Sequence, residues 1–191
     1  MKIILGSSSP SRKKLLKNTG IDFKVKSPTI DETAQKKEFK GKKKDLAIYL
    51  AEKKALSIHA EPKDIIIGAD QVLLHSNKIY DKPKSMHEAK RHLKELSNKT
   101  HNLISGTVIS QKNKIIWRHQ SVSKMEMRKL TNKEINEYLS QSGKSILKCV
   151  GAYNIEGYGS KLFKKIDGDF FSIVGLPLIQ LLNAINKIGK N

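Results

Sequence analysis

Two places in this 191-residue chain gather residues whose types and spacing could do chemistry. The first is Gly6-Ser7-Ser8-Ser9-Pro10-Ser11-Arg12-Lys13-Lys14, where hydroxyls and cations collect around what reads as a helix N-terminus. Unpaired backbone N–H groups at such an end, with hydroxyl and cationic side chains beside them, make an anion site. Cations in a first helical turn also oppose the helix dipole, so a bound anion would relieve a conflict. The same residues suit an ordinary strand-to-helix turn, and the spacing alone leaves both readings open. The second place is Asp70, inside the run Asp64-Ile65-Ile66-Ile67-Gly68-Ala69-Asp70-Gln71-Val72-Leu73-Leu74. A carboxylate at the edge of so apolar a segment is costly unless it is paired or bound to a cation. Asp70 is therefore the first candidate for chemistry. A helix-capping or turn aspartate is the weaker alternative, because Val72-Leu73-Leu74 continues apolar without helical spacing.

The elements that must position these residues follow from local signals. Lys2-Ile3-Ile4-Leu5 reads as a short buried strand. Ser9 is a good N-cap for the helix after it, Pro10 sits where a missing N–H costs nothing, Leu15 and Leu16 give its buried stripe, and Gly20 is a left-handed stop. Asp22 to Lys26 alternates like a half-exposed strand, and Ser27 to Thr33 reads as an ordered loop ending in the adjacent carboxylates Asp31 and Glu32. Ala34 to Lys44 is lysine-rich and reads as a mobile surface loop. Asp45 to Ala60 has a helical pattern and carries Lys53 and Lys54. The continuous apolar residues from Asp64 to Leu74 predict a strand buried on both faces.

Beyond it, Ser76-Asn77-Lys78 turns the chain, Ile79-Tyr80 returns, and Asp81-Lys82-Pro83 closes the segment. Ser85 to Leu96 is an amphipathic helix with Ser85 and Glu88 spaced as a capping box. His101 to Arg128 predicts a long hairpin turning at Lys112-Asn113. Thr131 and Glu134 form another capping box, opening a helix to about Gln141 that Gly143 ends. A glycine-rich loop from Gly151 to Gly159 precedes a strand from Lys161 to Ile166, and a last helix from Pro177 to Ile188 shows Leu178, Leu181, Leu182 and Ile185 on one face. Strands and helices interleaved around an antiparallel hairpin predict a mixed sheet flanked by helices.

Length favours a single domain over residues 1–191, or at most two intimate lobes. The net charge of +19 attracts polyanions, but only Arg12, Arg91, Arg118 and Arg128 among the 37 basic residues are arginine. Surfaces that clamp phosphate or read bases lean on arginine forks, so the scattered lysine reads as compositional drift rather than a nucleic-acid face. Cys149, the single cysteine, excludes an internal disulfide, suits a reducing compartment, and reads as a small buried hydrophobe rather than a nucleophile. The first apolar run is too short for a signal-peptide core, and no apolar stretch approaches a membrane span. The expectation is a soluble, cytoplasmic protein.

The motifs in order resemble the Maf family of nucleoside triphosphate pyrophosphatases over essentially the whole chain. They are Leu5-Gly6-Ser7-Ser8-Ser9-Pro10, Ile30-Asp31-Glu32-Thr33, Glu52-Lys53-Lys54-Ala55, Ile67-Gly68-Ala69-Asp70-Gln71-Val72, Lys82-Pro83, Gly151-Ala152-Tyr153 and Val174-Gly175-Leu176-Pro177-Leu178. The resemblance implies an α/β, inosine-triphosphatase-like fold with a mixed twisted sheet flanked by helices. It implies an enzyme that cuts a nucleoside triphosphate between its α and β phosphates, releasing monophosphate and pyrophosphate. It gives Asp70 the role of proton acceptor, Glu32 and Asp70 a divalent cation, Mg²⁺ or Mn²⁺, and Ser7, Ser9, Arg12, Lys54 and Lys82 the triphosphate.

Base specificity would fall to Ser11, Gln71 and Glu156. Gln71 and Glu156 look like the branch associated with 7-methyl-GTP, where a carboxylate could face the guanine donor edge and the positively charged methylated ring. Ser11 stands where either branch carries tryptophan or arginine, and Gly151-Ala152-Tyr153 is closer to the branch for dTTP and UTP, which is the near alternative. A basic nucleic-acid-binding protein and an interaction protein of cell division are the remote ones. Family members are often dimers, and the apolar face of the last helix is a candidate contact for a homodimer.

Overall fold

Apolar residues that run on without alternation have no polar face to show to water, and the chain buries them in the centre of a sheet. Strand β1 (Ile3–Gly6) pairs in parallel with β2 (Phe23–Val25) on one side and with β3 (Ile65–His75) on the other. Then come β4 (Lys78–Tyr80), β5 (Thr100–Gln111), β6 (Lys114–Met127) and β7 (Phe163–Asp167). The order is β2-β1-β3-β5-β6-β7, with β4 paired antiparallel to β3 and β7 antiparallel to β6, so the seven-stranded sheet is mixed. Seven α-helices accompany it among the described residues: α1 (Pro10–Lys17), α2 (Glu32–Glu38), α3 (Leu46–Leu56), α4 (Met86–Leu96), α5 (Asn132–Ser142), α6 (Phe170–Val174) and α7 (Leu178–Ile188). This computed structural model describes residues 1–189. None of these helices is long and apolar enough to cross a membrane.

The chain resolves into two compact units interleaved in sequence. The first takes Met1–Gln71, Ser105–Ser121 and the residues from Asp169 onward. Its central strands β1 and β3 are buried on both faces as far as Asp70: Ile3, Leu5, Ile65, Ile67 and Ala69 pack with Leu16 of α1 and Leu181 and Ile185 of α7. Ile4, Ile66 and Val108 face the other way, onto Ala51 and Ala55 of α3. The alternation in β3 is the useful part. Odd-numbered residues from 65 to 69 face α1 and α7, and even-numbered ones face α3.

Local signals and tertiary contacts part company at three places in this unit. Residues 34–44, expected as a mobile loop, are largely helix α2 and a 3-10 turn over Lys43–Asp45. Asp31 caps α2 by accepting from the N–H groups of Thr33 and Ala34, and the Tyr49 hydroxyl of α3 donates to Gln35. Helix α3 stops at Leu56, short of the expected Ala60, because Ser57 is drawn off to Thr29: its hydroxyl accepts from Thr29 N and its carbonyl from the Thr29 hydroxyl. Helix α6, which apolar spacing alone does not mark, is opened by Asp169, whose carboxylate accepts from both N and Oγ of Ser172.

The second unit takes Val72–Ile104 and Val122–Gly168. Ser76 and Asn77 adopt the positive φ values that the turn between β3 and β4 requires, as Lys112 and Asn113 of the first unit do between β5 and β6. The capping box of Thr131 and Glu134 forms as expected. That of α4 is only half formed, since Ser85 accepts from Glu88 N while the Glu88 carboxylate takes the N–H of Lys84 instead. The glycine-rich stretch is a string of 3-10 turns, Val150–Ala152 and Tyr158–Leu162, rather than an open loop. Cys149 lies partly buried, and burial pushes its thiol up, which suits an inert side chain.

Candidate functional site

Asp70 falls on the even-numbered face of β3, toward α3, and that helix lies unusually close. A Cβ on Gly68 would stand 2.3 Å from the Ala51 carbonyl oxygen, and one on Gly106 would stand 2.5 Å from Ile48 N. Only glycine at both positions lets the helix backbone come so near the strands. Lys54, one residue before Ala55 on the same helix, is carried with it.

The Lys54 ammonium consequently bridges two carboxylates. It is in contact with Asp70 Oδ1 and lies 2.8 Å from Glu32 Oε2. Asp70 is only 6% exposed, so this pairing offsets the cost of placing an acid in an apolar strand. Glu32 opens α2 from the far side of the bridge, and Lys36 one turn later adds a contact at 3.3 Å. Burial alone would push the Glu32 carboxyl up, but Lys54 and then Lys36 outweigh it and hold it down at about 2.

The loop after β1 joins this cluster. The register that pairs Gly6 with Gly68 sets Ser7, just past the carboxyl end of β1, alongside the stretch of β3 that carries Asp70, and open α/β sheets bind ligands beyond the carboxyl ends of their parallel strands. Ser7 is buried, its Oγ accepting from Ser9 N at 3.2 Å and from Arg12 Nη1 at 3.1 Å. Ser9 caps α1, accepting from Arg12 N. Arg12 itself lies inside the protein, donating from Nε to the Gly175 carbonyl at 3.0 Å and from Nη1 to the Ala69 carbonyl at 2.9 Å. Burial lowers its pKa, and the charges of Asp70 and Glu32 resist that shift. Gln71, on the opposite face of β3 from Asp70, donates from Nε2 to Ser105 Oγ at 2.9 Å and to the Ser172 and Ile173 carbonyls at 3.0 Å each.

Of the residues singled out in the sequence, Glu32, Lys54 and Asp70 meet directly, and Ser7, Ser9 and Arg12 form a second hydrogen-bonded group that reaches Ala69. Ser11 is half-buried on α1. Lys82 and Glu156 are exposed residues of the second unit, the Glu156 N–H donating to Asn154 Oδ1. Three participants carry no obvious mark in the sequence: Lys36, Ser105 and Ser172. Ser105 alone leaves a trace, as a hydroxyl within the apolar part of β5.

The donor set fits a hard divalent cation. Two carboxylates from different elements turn their oxygens toward one positive centre, and Mg²⁺ and Mn²⁺ take oxygen ligands of this kind, Mg²⁺ usually keeping several waters and substrate phosphates besides one or two carboxylates. No group of three His, Cys, Asp or Glu able to hold a metal occurs among the described residues, so the other ligands of such an ion would be water and phosphate.

Comparison with known proteins bears on what this cluster serves. The sequence profile of the family described as Maf-like protein matches residues 2–188. A 7-methyl-GTP pyrophosphatase of Brucella abortus biovar 1 is 43% identical over 191 residues, spanning 98% of this chain and 96% of the relative. A 7-methyl-GTP pyrophosphatase of Mesorhizobium japonicum is 41% identical, spanning 98% of this chain and 96% of its own. A nucleoside triphosphate pyrophosphatase of Hyphomonas neptunium is 39% identical, spanning 96% of this chain and 94% of its own.

Proposed function

The chain belongs to the Maf family, and from that premise we propose that it hydrolyses the anhydride between the α and β phosphates of nucleoside triphosphates, with 7-methyl-GTP as its preferred substrate. The observation that carries this reading is the meeting of Glu32 and Asp70 on one ammonium group, next to a buried serine loop. Full-length relatives named for this activity support it.

In this reading Asp70 accepts the proton of the attacking water. The water oxygen bonds to phosphorus, the bond from that phosphorus to the bridging oxygen breaks, and monophosphate and pyrophosphate leave. Ser7, Ser9, Lys54 and Lys82 orient the triphosphate and offset its charge, because phosphoryl transfer is mainly positioning and electrostatic stabilisation. Glu32 and Asp70 would hold Mg²⁺ or Mn²⁺, which when bound supplies positive charge to the phosphate oxygens. Ser11, Gln71 and Glu156 set the choice of base. The Gln71 amide nitrogen is already engaged, so the group it has left to offer is its carbonyl, an acceptor suited to a guanine N–H edge. We place the activity in the cytoplasm.

The test is pyrophosphate release with Mg²⁺ or Mn²⁺ from 7-methyl-GTP, GTP, UTP, dTTP and CTP, beside Asp70→Asn. Release is expected to be fastest from 7-methyl-GTP and to fall about 10³-fold or more in the variant. A preference for UTP or dTTP would overturn the base reading, and no release from any triphosphate would overturn the activity.

A further inference from the structure

We propose that Arg12 is a positioning residue, which fixes Asp70 by tying β3 and the Ser7 loop to the turn at Gly175 and makes no contact with the triphosphate. The inference deepens the function proposed above and rests on it.

Arg12 is 9% exposed as a residue and spends three of its five N–H donors inside the protein: Nε on the Gly175 carbonyl, Nη1 on the Ala69 carbonyl and the Ser7 hydroxyl. Those three acceptors belong to segments far apart in sequence. A planar fork sends donors from separate nitrogens in fixed directions and so sets the places of these groups, whereas the three donors of an ammonium all leave one nitrogen on a flexible stem. The turn is shaped for the same contact. Gly175 has φ 135°, in the left-handed region, and a Cβ there would stand 3.3 Å from Cγ and Nε of Arg12. Glycine thus lets this turn present its carbonyl to Nε without crowding the side chain.

Gln71 ties the other flank. Its amide holds the Ser172 and Ile173 carbonyls, and the Ser105 hydroxyl donates to the Ser172 carbonyl at 2.7 Å. The three consecutive residues Ala69, Asp70 and Gln71 are therefore fastened on both sides of the carboxylate to residues 172–175. A proton acceptor must stay within hydrogen-bond reach of its water, and misplacement by about 1 Å can cost about 10²-fold in rate. Arg12 acts on the reaction through that placement.

The test compares Arg12→Lys and Gly175→Ala with wild type. Gly175→Ala disturbs the tie while leaving the cation in place, and it also serves if the Arg12 variant does not fold. With 7-methyl-GTP, both variants should lower kcat by about 30-fold or more while KM and the affinity for α,β-methylene-GTP stay within about 3-fold. Both should also speed amide hydrogen exchange at residues 69–71 in the free protein. A rise of about 10-fold or more in KM and in the analogue's Kd for Arg12→Lys, with kcat kept, would show phosphate contact and overturn the proposal. A lowered melting temperature with kcat unchanged well below it would mean a purely structural tie and overturn it as well. If wild type releases no pyrophosphate, the function fails but this test does not: unchanged exchange at residues 69–71 in Arg12→Lys would still overturn the tie.

Discussion

Asp70 and Lys54 are each an expensive residue for its place, and each removes most of the other's cost. The aspartate sits in a strand with Ala69 and Val72 fully or nearly fully buried beside it, and the lysine ammonium is the group that faces it. Breaking such a pair from one side is costlier than never having had it, because the remaining charge stays buried. Lys54→Met should therefore lower unfolding stability by about 3 kcal/mol and abolish most turnover. Millimolar Mg²⁺ should recover part of the stability if Glu32 and Asp70 can hold the ion, read as a rise in the melting temperature of the variant larger than that of wild type. Glu32→Gln is the gentler change, since Lys54 keeps Asp70. It should lower the melting temperature less than Lys54→Met does and reduce pyrophosphate release by orders of magnitude; full activity would remove Glu32 from the site.

The pair exists because an element is set down in the right place. Helix α3 presents Ala47, Ala51 and Ala55 on its buried side, and the strands answer with Gly68 and Gly106, so that backbone meets backbone. Gly68→Ala would put a methyl group against the Ala51 carbonyl, which cannot swing away as a side chain would. It should cost about 1–3 kcal/mol and, by lifting Lys54 from Asp70, reduce turnover at least tenfold at temperatures where the variant is folded. Thr131→Ala in the second unit is the matched control. It removes one side of the α5 capping box and should cost about 1 kcal/mol in urea unfolding while leaving kcat unchanged. A kcat loss there comparable to that of Gly68→Ala would argue against a local origin of the effect.

For the molecule as a whole, charge and protonation set the working range. His101 is buried in the second unit, its Nε2 2.8 Å from the Tyr153 hydroxyl, and burial, with a smaller effect of His75, lowers its pKa to about 4. The folded pKa lies below the unfolded one, so between them the unfolded chain binds more protons and stability rises with pH. The contribution is complete above about 6.5 and is lost as pH falls toward about 4, amounting to about 3 kcal/mol. Urea unfolding at neutral pH and near pH 4.5 should show this loss in wild type and a smaller one in His101→Gln; equal losses would refute it. The +19 net charge acts at longer range. Moderate salt should raise the melting temperature by screening lysine from lysine, and should raise KM for a triphosphate by weakening its attraction.

The sequence by itself determined the elements whose causes are local. Continuous isoleucines specify β3, Ser9-Pro10 starts α1, Lys112-Asn113 turns the long hairpin, and Thr131 with Glu134 caps α5, because each depends on residues within a few positions of one another. It also pointed to Asp70, since an acid in an apolar run needs a partner wherever it folds, and the order of its motifs indicated the family. Only the tertiary structure decided which partner that is. Lys54 is one lysine among 33, and nothing local separates it from Lys53 until Gly68 and Gly106 let α3 descend onto the sheet. Helix α2 escaped the sequence reading for the same reason, as its lysine-rich stretch is held by Asp31, Tyr49 and Lys54 rather than by an apolar stripe. In the sequence Arg12 reads as one of three cations at a helix start suited to an anion, and its inward course depends on the carbonyls of Ala69 and Gly175, 57 and 163 residues away. Hydrogen bonds and ion pairs between distant segments have no periodicity, so such contacts become readable only when the chain has folded.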